Sequence, residues 1–542
     1  MRVAEVVGRT LAAYGVRHVF GVVGSGNFHV TNALVACGAR FVPAAHEGGA
    51  ATMADAYARV SGRLGVLSVH QGPGVTNALT GVTEAAKSRT PLVVLAPEAT
   101  APRSNFFIDL ASAAAALGAD HSRVRAEHAS DDVLSACRLA DSGRTVLLGL
   151  PLDVQAADAE PPGPLTPAAG APMAAPGSET RALARALRSA HRPVFIAGRG
   201  ATRPSARAEL TRLADRCGAL LAVSAAAKGL FAGDPWYLDV SGGFATPLAA
   251  ELIAAADLVV AWGSTLNMWT TRHGRLISPD ATVVQVDRDP SALGVNRPVA
   301  LGVAGAVTVV ADAVDSGLTG WHADGWRTPG LAKRIAAEGR WRDVSYVDDG
   351  GPGRIDPRTL TIALDDALPV ERTVAVDSGN FMGYPSMFLS VPDHHGFCFT
   401  QAFQSIGLGL AGALGAAVAR PDRLTVAALG DGGYLMSAAE LTTAVRLGLP
   451  LLVVVYNDAA YGAEVHHFGP DGHPLDTVTF PDTDLAAIGR GFGCEGVTVR
   501  SVGDLGPVRD WLAGPRVPPL VMDAKVGGTR GSWWLEEAFR GH

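Results

Sequence analysis

One pattern constrains this 542-residue chain more than any other: short Val- and Leu-rich runs, apolar at nearly every position, alternate with longer Ala-, Leu- and Arg-rich stretches of helical spacing. A strand that is apolar on both faces has to be covered on both faces. Parallel sheets with crossover helices above and below do this repeatedly. The strand candidates are 65–70, 92–96, 193–197, 257–262, 282–286, 372–376, 424–428 and 451–456. The expected fold class is α/β, built from doubly wound parallel sheets.

Residues 160–177, EPPGPLTPAAGAPMAAPG, lose a backbone donor at each Pro and offer nothing large to bury, which reads as a linker. A second irregular stretch, 316–357, surrounds a short helical piece at 331–339. The chain is thereby expected to divide into domains at 1–160, 178–316 and 357–542, each near the usual size of roughly 150 residues. The first and last blocks share a unit of strand, Gly-rich turn, helix, Pro-Leu and strand, at 65–98 and 424–458. Two related outer domains flanking a different middle one are expected.

Charge and composition exclude several function classes. With 45 basic against 52 acidic residues, a formal charge of -7 and no basic run, no nucleic-acid partner is expected. No apolar run reaches the ~18 residues of a membrane span, and Glu5 and Arg9 interrupt the N-terminal apolar face that a signal peptide would need. The five cysteines are scattered, without CxxC spacing, so neither a disulfide framework nor a thiolate metal site is expected and a reducing cytoplasm fits.

The most informative motif is Gly430-Asp431-Gly432-Gly433, followed by a Val-rich strand that ends at Asn457-Asp458. Two parallel strands joined by one helix deliver Asp431 and Asp458 to the same sheet edge, where ligands of such sheets collect. Gly432 and Gly433 let helix-start N–H groups approach a phosphate closely. Two carboxylates beside a phosphate require a hard cation between them, and oxygen donors suit Mg²⁺.

This arrangement resembles the thiamine diphosphate signature of the superfamily that includes acetolactate synthase, benzoylformate decarboxylase and pyruvate decarboxylase. Residues 45–77, AHEGGAATMADAYARVSGRLGVLSVHQGPGVTN, are similar to the same superfamily's N-terminal pattern of an activating Glu, a Gly-rich helix, Tyr-Ala-Arg and a GPGxTN turn. The resemblance therefore covers essentially the whole chain. It implies an N-terminal pyrimidine-binding domain, a central Rossmann-like domain and a C-terminal diphosphate-binding domain, with thiamine diphosphate and Mg²⁺ as cofactors.

The resemblance also implies residue roles. Glu47 would hydrogen-bond the cofactor's pyrimidine ring and make its amino group available as a base. Ile406 would lie under the two rings, with the Gln404 carbonyl facing the exocyclic amine. Ser378, Gly379 and Asn380 would bind the diphosphate together with Gly430, Gly432 and Gly433, and Tyr461 and Gly462 are further cofactor-binding positions. Asp431, Asp458 and the Ala460 carbonyl would hold the metal. Asp458 departs from the pattern, which has Asn there, and adds a negative charge.

His70 and Glu464 are the further catalytic candidates, both able to move protons. Ser25, Gln71, His466 and His467 are the substrate-contact candidates. The pairs His394-His395 and His466-His467 lack a third ligand at zinc spacing and read as surface or pocket-rim residues. The middle block has Gly198-Arg199-Gly200 and the loop GSTLNMWTTRHG, without the triple-Gly turn and Arg- and Asp-rich loop with which acetolactate synthases hold FAD, so FAD is not expected.

The expected function is an acetolactate synthase-like carboligase that decarboxylates a 2-oxo acid and joins the retained unit to a carbonyl acceptor. The alternatives are a 2-oxo acid decarboxylase or C–C lyase of benzoylformate decarboxylase type, and a cofactor-binding paralogue without catalysis, against which Glu47 stands. The resemblance further implies a homodimer or homotetramer, with Glu47 of one chain and Asp431 of another acting on one cofactor.

Overall fold

A computed structural model describes residues 1–163, 177–527 and 531–535. The Pro-rich linker expected at 160–177 lies for the most part outside the described residues.

Among the described residues eighteen strands form three six-stranded sheets, and every strand pair in them is parallel. The first contains β1 (His18–Gly21), β2 (Arg40–Pro43), β3 (Gly65–Ser68), β4 (Leu92–Glu98), β5 (Asp120–Arg123) and β6 (Thr145–Pro151). The second contains β7 (Pro193–Ala197), β8 (Leu220–Val223), β9 (Tyr237–Val240), β10 (Leu258–Trp262), β11 (Thr282–Asp287) and β12 (Leu301–Ala304). The third contains β13 (Arg372–Val376), β14 (Phe397–Phe399), β15 (Leu424–Gly430), β16 (Leu451–Asn457), β17 (Glu495–Val499) and β18 (Leu520–Lys525).

The outer sheets have the same strand order, β2-β1-β3-β4-β6-β5 and β14-β13-β15-β16-β18-β17. The shared sequence unit is therefore part of a shared topology. The middle sheet runs β9-β8-β7-β10-β11-β12, the 3-2-1-4-5-6 order of dinucleotide-binding folds. In the outer sheets the order reverses between β1 and β3 and between β13 and β15, and loops leaving the carboxyl ends of strands at such a point enclose a crevice.

All eight expected strands are present with small shifts in their ends. The first stops at Ser68 rather than His70, because its neighbour β1 gives out at Gly21, opposite Ser68. Ten further strands carry weaker signals. Several are only three or four residues long, and β18 contains Asp523 and Lys525 in a fully buried strand, which breaks the apolar run.

The outer domains share one hydrophobic core. Its centre is the contact between the helix Glu47–Ser61 and the helix Gly409–Ala419, GLAGALGAAVA, whose small residues are buried nearly all round. Close approach is required there: a Cβ on Gly415 would stand 2.2 Å from the Met53 carbonyl oxygen. The middle sheet packs its two faces into separate clusters. No helix among the described residues is long and apolar enough to cross a membrane.

Candidate active site

The carboxyl ends of β13 to β16 open into a cavity of about 930 Å³ between the C-terminal and middle domains, lined also by Arg59 and Ser88 of the N-terminal domain. Ser378, Gly379 and Asn380 reach it after β13, Gln404 and Ile406 after β14, and Gly430 to Gly433 at the end of β15. Asp458, Ala460, Tyr461, Gly462 and Glu464 follow β16. The opposite wall includes Phe244, Asn267 and Trp269 of the middle domain, with Trp534 and Leu535.

Backbone geometry explains the glycines. A Cβ on Gly432 would stand 2.6 Å from Tyr461 Cε1, on Gly433 2.2 Å from Asp377 Oδ2, and on Gly462 2.3 Å from Asp458 Oδ2. None of these positions has room for a side chain, so the loops can close around a ligand only as they stand.

Asp431 is buried and accepts from its neighbour Gly432 N (2.7 Å) and from Ala460 N (3.2 Å). Burial pushes its carboxyl up to about 6. Burial and the charge of Asp431 together push Asp458 up to about 7. Among the described residues neither acid forms an ion pair with a basic side chain. Two buried acids without an ion pair, one of them raised further by the charge of the other, fit a divalent cation. No group of three His, Cys, Asp or Glu side chains assembles among the described residues, so such a cation would need carbonyl and phosphate oxygens as well. The Gly cradle at the start of the helix Asp431–Ser437 supplies the setting for a diphosphate.

One residue here had no assigned role in the sequence reading. Asp377 is wholly buried just past β13 and accepts from Ser378 N (2.9 Å), Gly407 N (3.0 Å) and Leu408 N (3.2 Å). It ties the diphosphate turn to the loop of Gln404 and Ile406, where Gln404 adopts a φ of +60°. Burial raises it to about 6 against those N–H groups. An Asp ending a strand just before Ser-Gly-Asn was the available signal, but Gly407 N and Leu408 N lie some thirty residues away, and spacing cannot show them.

Asn380 has a second set of partners. Ser532 Oγ (3.1 Å) and Trp534 Nε1 (3.0 Å) donate to its carbonyl, fastening the segment 531–535 over the cavity. Trp534 is buried, with its ring 6.2 Å from Trp269 and 6.4 Å from Phe244.

The N-terminal candidates gather elsewhere. Glu47 opens its helix after β2 and accepts from Asn77 Nδ2 at 3.1 Å. His70 follows β3, takes the Gly26 N–H on Nδ1 (3.2 Å) and meets the edge of Phe106 at 5.4 Å. A Cβ on Gly74 would stand 3.1 Å from His70 Cβ and 3.5 Å from Glu47 Oε1, so both flank one turn. Gln71 is buried beside them with an unbonded Oε1, and Ser25 is exposed in the adjoining loop. Ser25, Glu47, His70 and Gln71 thus form one cluster at the ends of β1 to β3. None of the four lines the Asp431 cavity of its own chain.

His466 and His467 lie on the helix Gly462–Phe468 but do not line the cavity. His466 is half-buried beside Gly531, and burial lowers its pKa. His467 meets the edge of Phe468 at 4.6 Å. The rings of His394 and His395 lie 4.0 Å apart, tilted at 39°, with His395 Nδ1 2.7 Å from the Val60 carbonyl.

A buried, glycine-lined crevice with two acids, repeated topologically by a second domain that carries Glu47, is the architecture of thiamine diphosphate enzymes. Residues 1–119 match the family described as thiamine pyrophosphate enzyme, N-terminal TPP binding domain; residues 180–314 match its central domain and residues 377–518 its C-terminal TPP binding domain. The chain is 28% identical to the sulfoacetaldehyde acetyltransferase of Castellaniella defragrans, over 94% of this chain and 90% of that protein. It is 30% identical to the "Probable 2-ketoarginine decarboxylase AruI" of Pseudomonas aeruginosa (93% and 90%) and 27% identical to the catabolic acetolactate synthase of Raoultella terrigena (93% and 91%). The chain belongs to the thiamine pyrophosphate enzyme family and is a thiamine diphosphate-dependent enzyme.

Proposed function

We propose that the protein is a Mg²⁺-dependent carboligase of acetolactate synthase type, acting on a 2-oxo acid from shared sites in a homodimer or a pair of dimers. Relatives named as an acetyltransferase and an acetolactate synthase favour carboligation, and the observation that carries the shared site is the separation of the two clusters. Glu47 and Asp431 occupy corresponding ends of topologically equivalent sheets, yet Glu47 does not reach the Asp431 cavity within one chain. A site completed by Glu47 of the partner subunit joins them. Exposed apolar side chains support that pairing: Val23, Phe28, Phe106 and Phe107 on the N-terminal domain, and Phe403, Leu435 and Met436 on the C-terminal domain.

Thiamine diphosphate, when bound, supplies a carbon nucleophile for the substrate carbonyl and holds the electron pair left behind by carbon dioxide. The chain's own residues set the rest. Asp431, Asp458 and the Ala460 carbonyl hold the cation, and Ser378, Gly379, Asn380 and the Gly430 to Gly433 turn hold the diphosphate. Ile406 and Gln404 position the rings, with Tyr461 and Gly462 alongside. Glu47 hydrogen-bonds the pyrimidine. His70 and Glu464 move protons at the substrate, Ser25 and Gln71 contact its carboxylate end, and His466 and His467 stand outside this set.

The domains run 1–160, 178–316 and 357–542, and no FAD is held in the middle one. The five cysteines are all free and four are buried, which suits a reducing cytoplasm. A 2-oxo acid decarboxylase is the second reading, favoured by the relative named as a decarboxylase and by the carboxyl of Glu464 at the cavity. Incubation with pyruvate, thiamine diphosphate and Mg²⁺, followed by product identification, decides between them: an acyloin or acetolactate supports carboligation, and free aldehyde alone overturns it.

A further inference from the structure

The turn after β16 is held from behind by a chain of buried polar groups ending on Lys525. Asp523 and Lys525 lie two residues apart on β18, on one face of that strand, and they are 0% and 4% exposed. A carboxylate so deeply buried needs a partner. Asp523 has three: Lys525 Nζ at 3.0 Å, Asn457 Nδ2 at 2.8 Å and Leu485 N at 3.0 Å. Because Asn457 gives its amide N–H to Asp523, its oxygen faces the other way, toward Ala459 N at 3.1 Å.

Ala459 sits at a φ of +60°, in the left-handed region that a residue with a Cβ rarely adopts. Its N–H is held by Asn457, and its carbonyl accepts from Phe480 N at 2.7 Å. That reversal aims Ala460 N at Asp431 Oδ2. Lys525 grips the other wall of the turn too. Its Nζ donates to the Thr483 carbonyl at 2.8 Å and to Asp482 Oδ1 at 2.5 Å, and the same segment pairs with the turn through Tyr461 N and the Val478 carbonyl at 2.8 Å.

We propose that Lys525, acting through Asp523 and Asn457, is a positioning residue for the divalent cation held by Asp431, Asp458 and Ala460. The inference rests on the cation-site reading given above. One ammonium gathers oxygens from Asp523, Asp482 and Thr483, a convergence suited to a compact point charge rather than a planar guanidinium. The chain, with four Lys among its 45 basic residues, places one of them here. Removing that charge frees the Ala459 reversal without touching a proposed ligand.

The test is Mn²⁺ binding followed by electron paramagnetic resonance in the presence of thiamine diphosphate. The wild-type chain, Asp431→Ala, Lys525→Met and Lys525→Arg are compared. Lys525→Met is expected to weaken Mn²⁺ binding up to roughly 10-fold, the low end of what losing a direct partner of a metal ligand costs, and Lys525→Arg by less. Turnover should return at saturating Mg²⁺ with the KM for the 2-oxo acid unchanged, which a merely structural role would not produce. If Lys525→Met fails to fold, Lys525→Met with Asp523→Asn removes both buried charges and is read in the same way. Unchanged Mn²⁺ affinity in a folded variant without the Lys525 charge overturns the inference alone. Wild-type chain that binds no Mn²⁺, or binding untouched by Asp431→Ala, overturns the cation site and this inference with it.

Discussion

Arg59 and Glu84 form a buried ion pair at 2.7 Å, and both also bond the C-terminal domain: Arg59 Nη1 donates to the Phe399 carbonyl, and Glu84 accepts from Ala402 N and Phe403 N. Two residues of the N-terminal domain therefore set the start of the loop that carries Gln404 and Ile406. Burial works against the Glu84 charge, but Arg59 and the two N–H groups outweigh it and hold the carboxyl below its usual value.

Arg59→Met leaves Glu84 and Asp55 buried without their cation. Removing one partner of a buried pair costs about 3–5 kcal/mol. The expected result in a urea titration at neutral pH is a loss of that order, together with weaker thiamine diphosphate binding in whatever remains folded. A loss under about 1 kcal/mol would show that the pair holds nothing together.

Glu84 also gives a pH dependence. Its folded pKa lies below its unfolded one, so the unfolded chain binds more protons as pH falls. The stabilisation is present above the ordinary carboxylate range and is lost as pH drops through the folded value. Glu84→Gln should lower stability at pH 7 and converge with the wild-type chain in acid, as measured by denaturation at a series of pH values.

Asp377 has the opposite sign. Its carboxyl is raised to about 6 from 3.8, so the folded chain binds the extra proton, and stability falls as pH rises from about 4 to 6. Across that window Asp377→Asn should become more stable relative to wild type by about 3 kcal/mol. It should also weaken cofactor binding at every pH, because the side chain that gathers Gly407 N and Leu408 N loses an acceptor.

Glu47→Gln is expected to retain measurable thiamine diphosphate affinity while losing most turnover. An unaffected rate would remove Glu47 from the chemistry.

Asp431→Ala should abolish cofactor retention in the presence of Mg²⁺, whereas Asp458→Asn should keep it, since amide oxygen is as hard a donor as carboxylate. Equal tolerance of both substitutions would contradict the metal assignment.

Sharing of sites between chains can be tested by co-expressing Glu47→Gln chains with Asp431→Ala chains. A mixed dimer holds one intact pairing, so activity should reappear although each variant alone is inactive. No recovery would mean that each chain completes its own site.

The alternation of apolar strands and helices was enough to read parallel α/β architecture, because periodicity and burial are local properties of a segment. The Gly430 to Gly433 turn and Asp458 were legible for a related reason: a strand, a helix and a second parallel strand bring their ends to one edge by geometry alone. Glu47 was singled out only through resemblance, since nothing in its own segment separates it from a Glu at any helix start.

Other relationships had to wait for the tertiary structure. Asp377, Asp523 and Lys525 sit in or at the end of strands where a local reading finds only a polar interruption, and Gly407 N, Leu408 N, Asn457 Nδ2 and Leu485 N, which bond the two acids, lie thirty or more residues away. Trp534 is an aromatic near the C-terminus until its indole N–H is found on the Asn380 carbonyl. That Glu47 stays out of the Asp431 cavity of its own chain, which only resemblance had implied, follows from how two sheets pack through the helices Glu47–Ser61 and Gly409–Ala419. Sequence determined the periodicity of each element and therefore which edge its ends occupy. Packing between distant segments, made possible by residues as small as Gly415, decided which of those edges share a site.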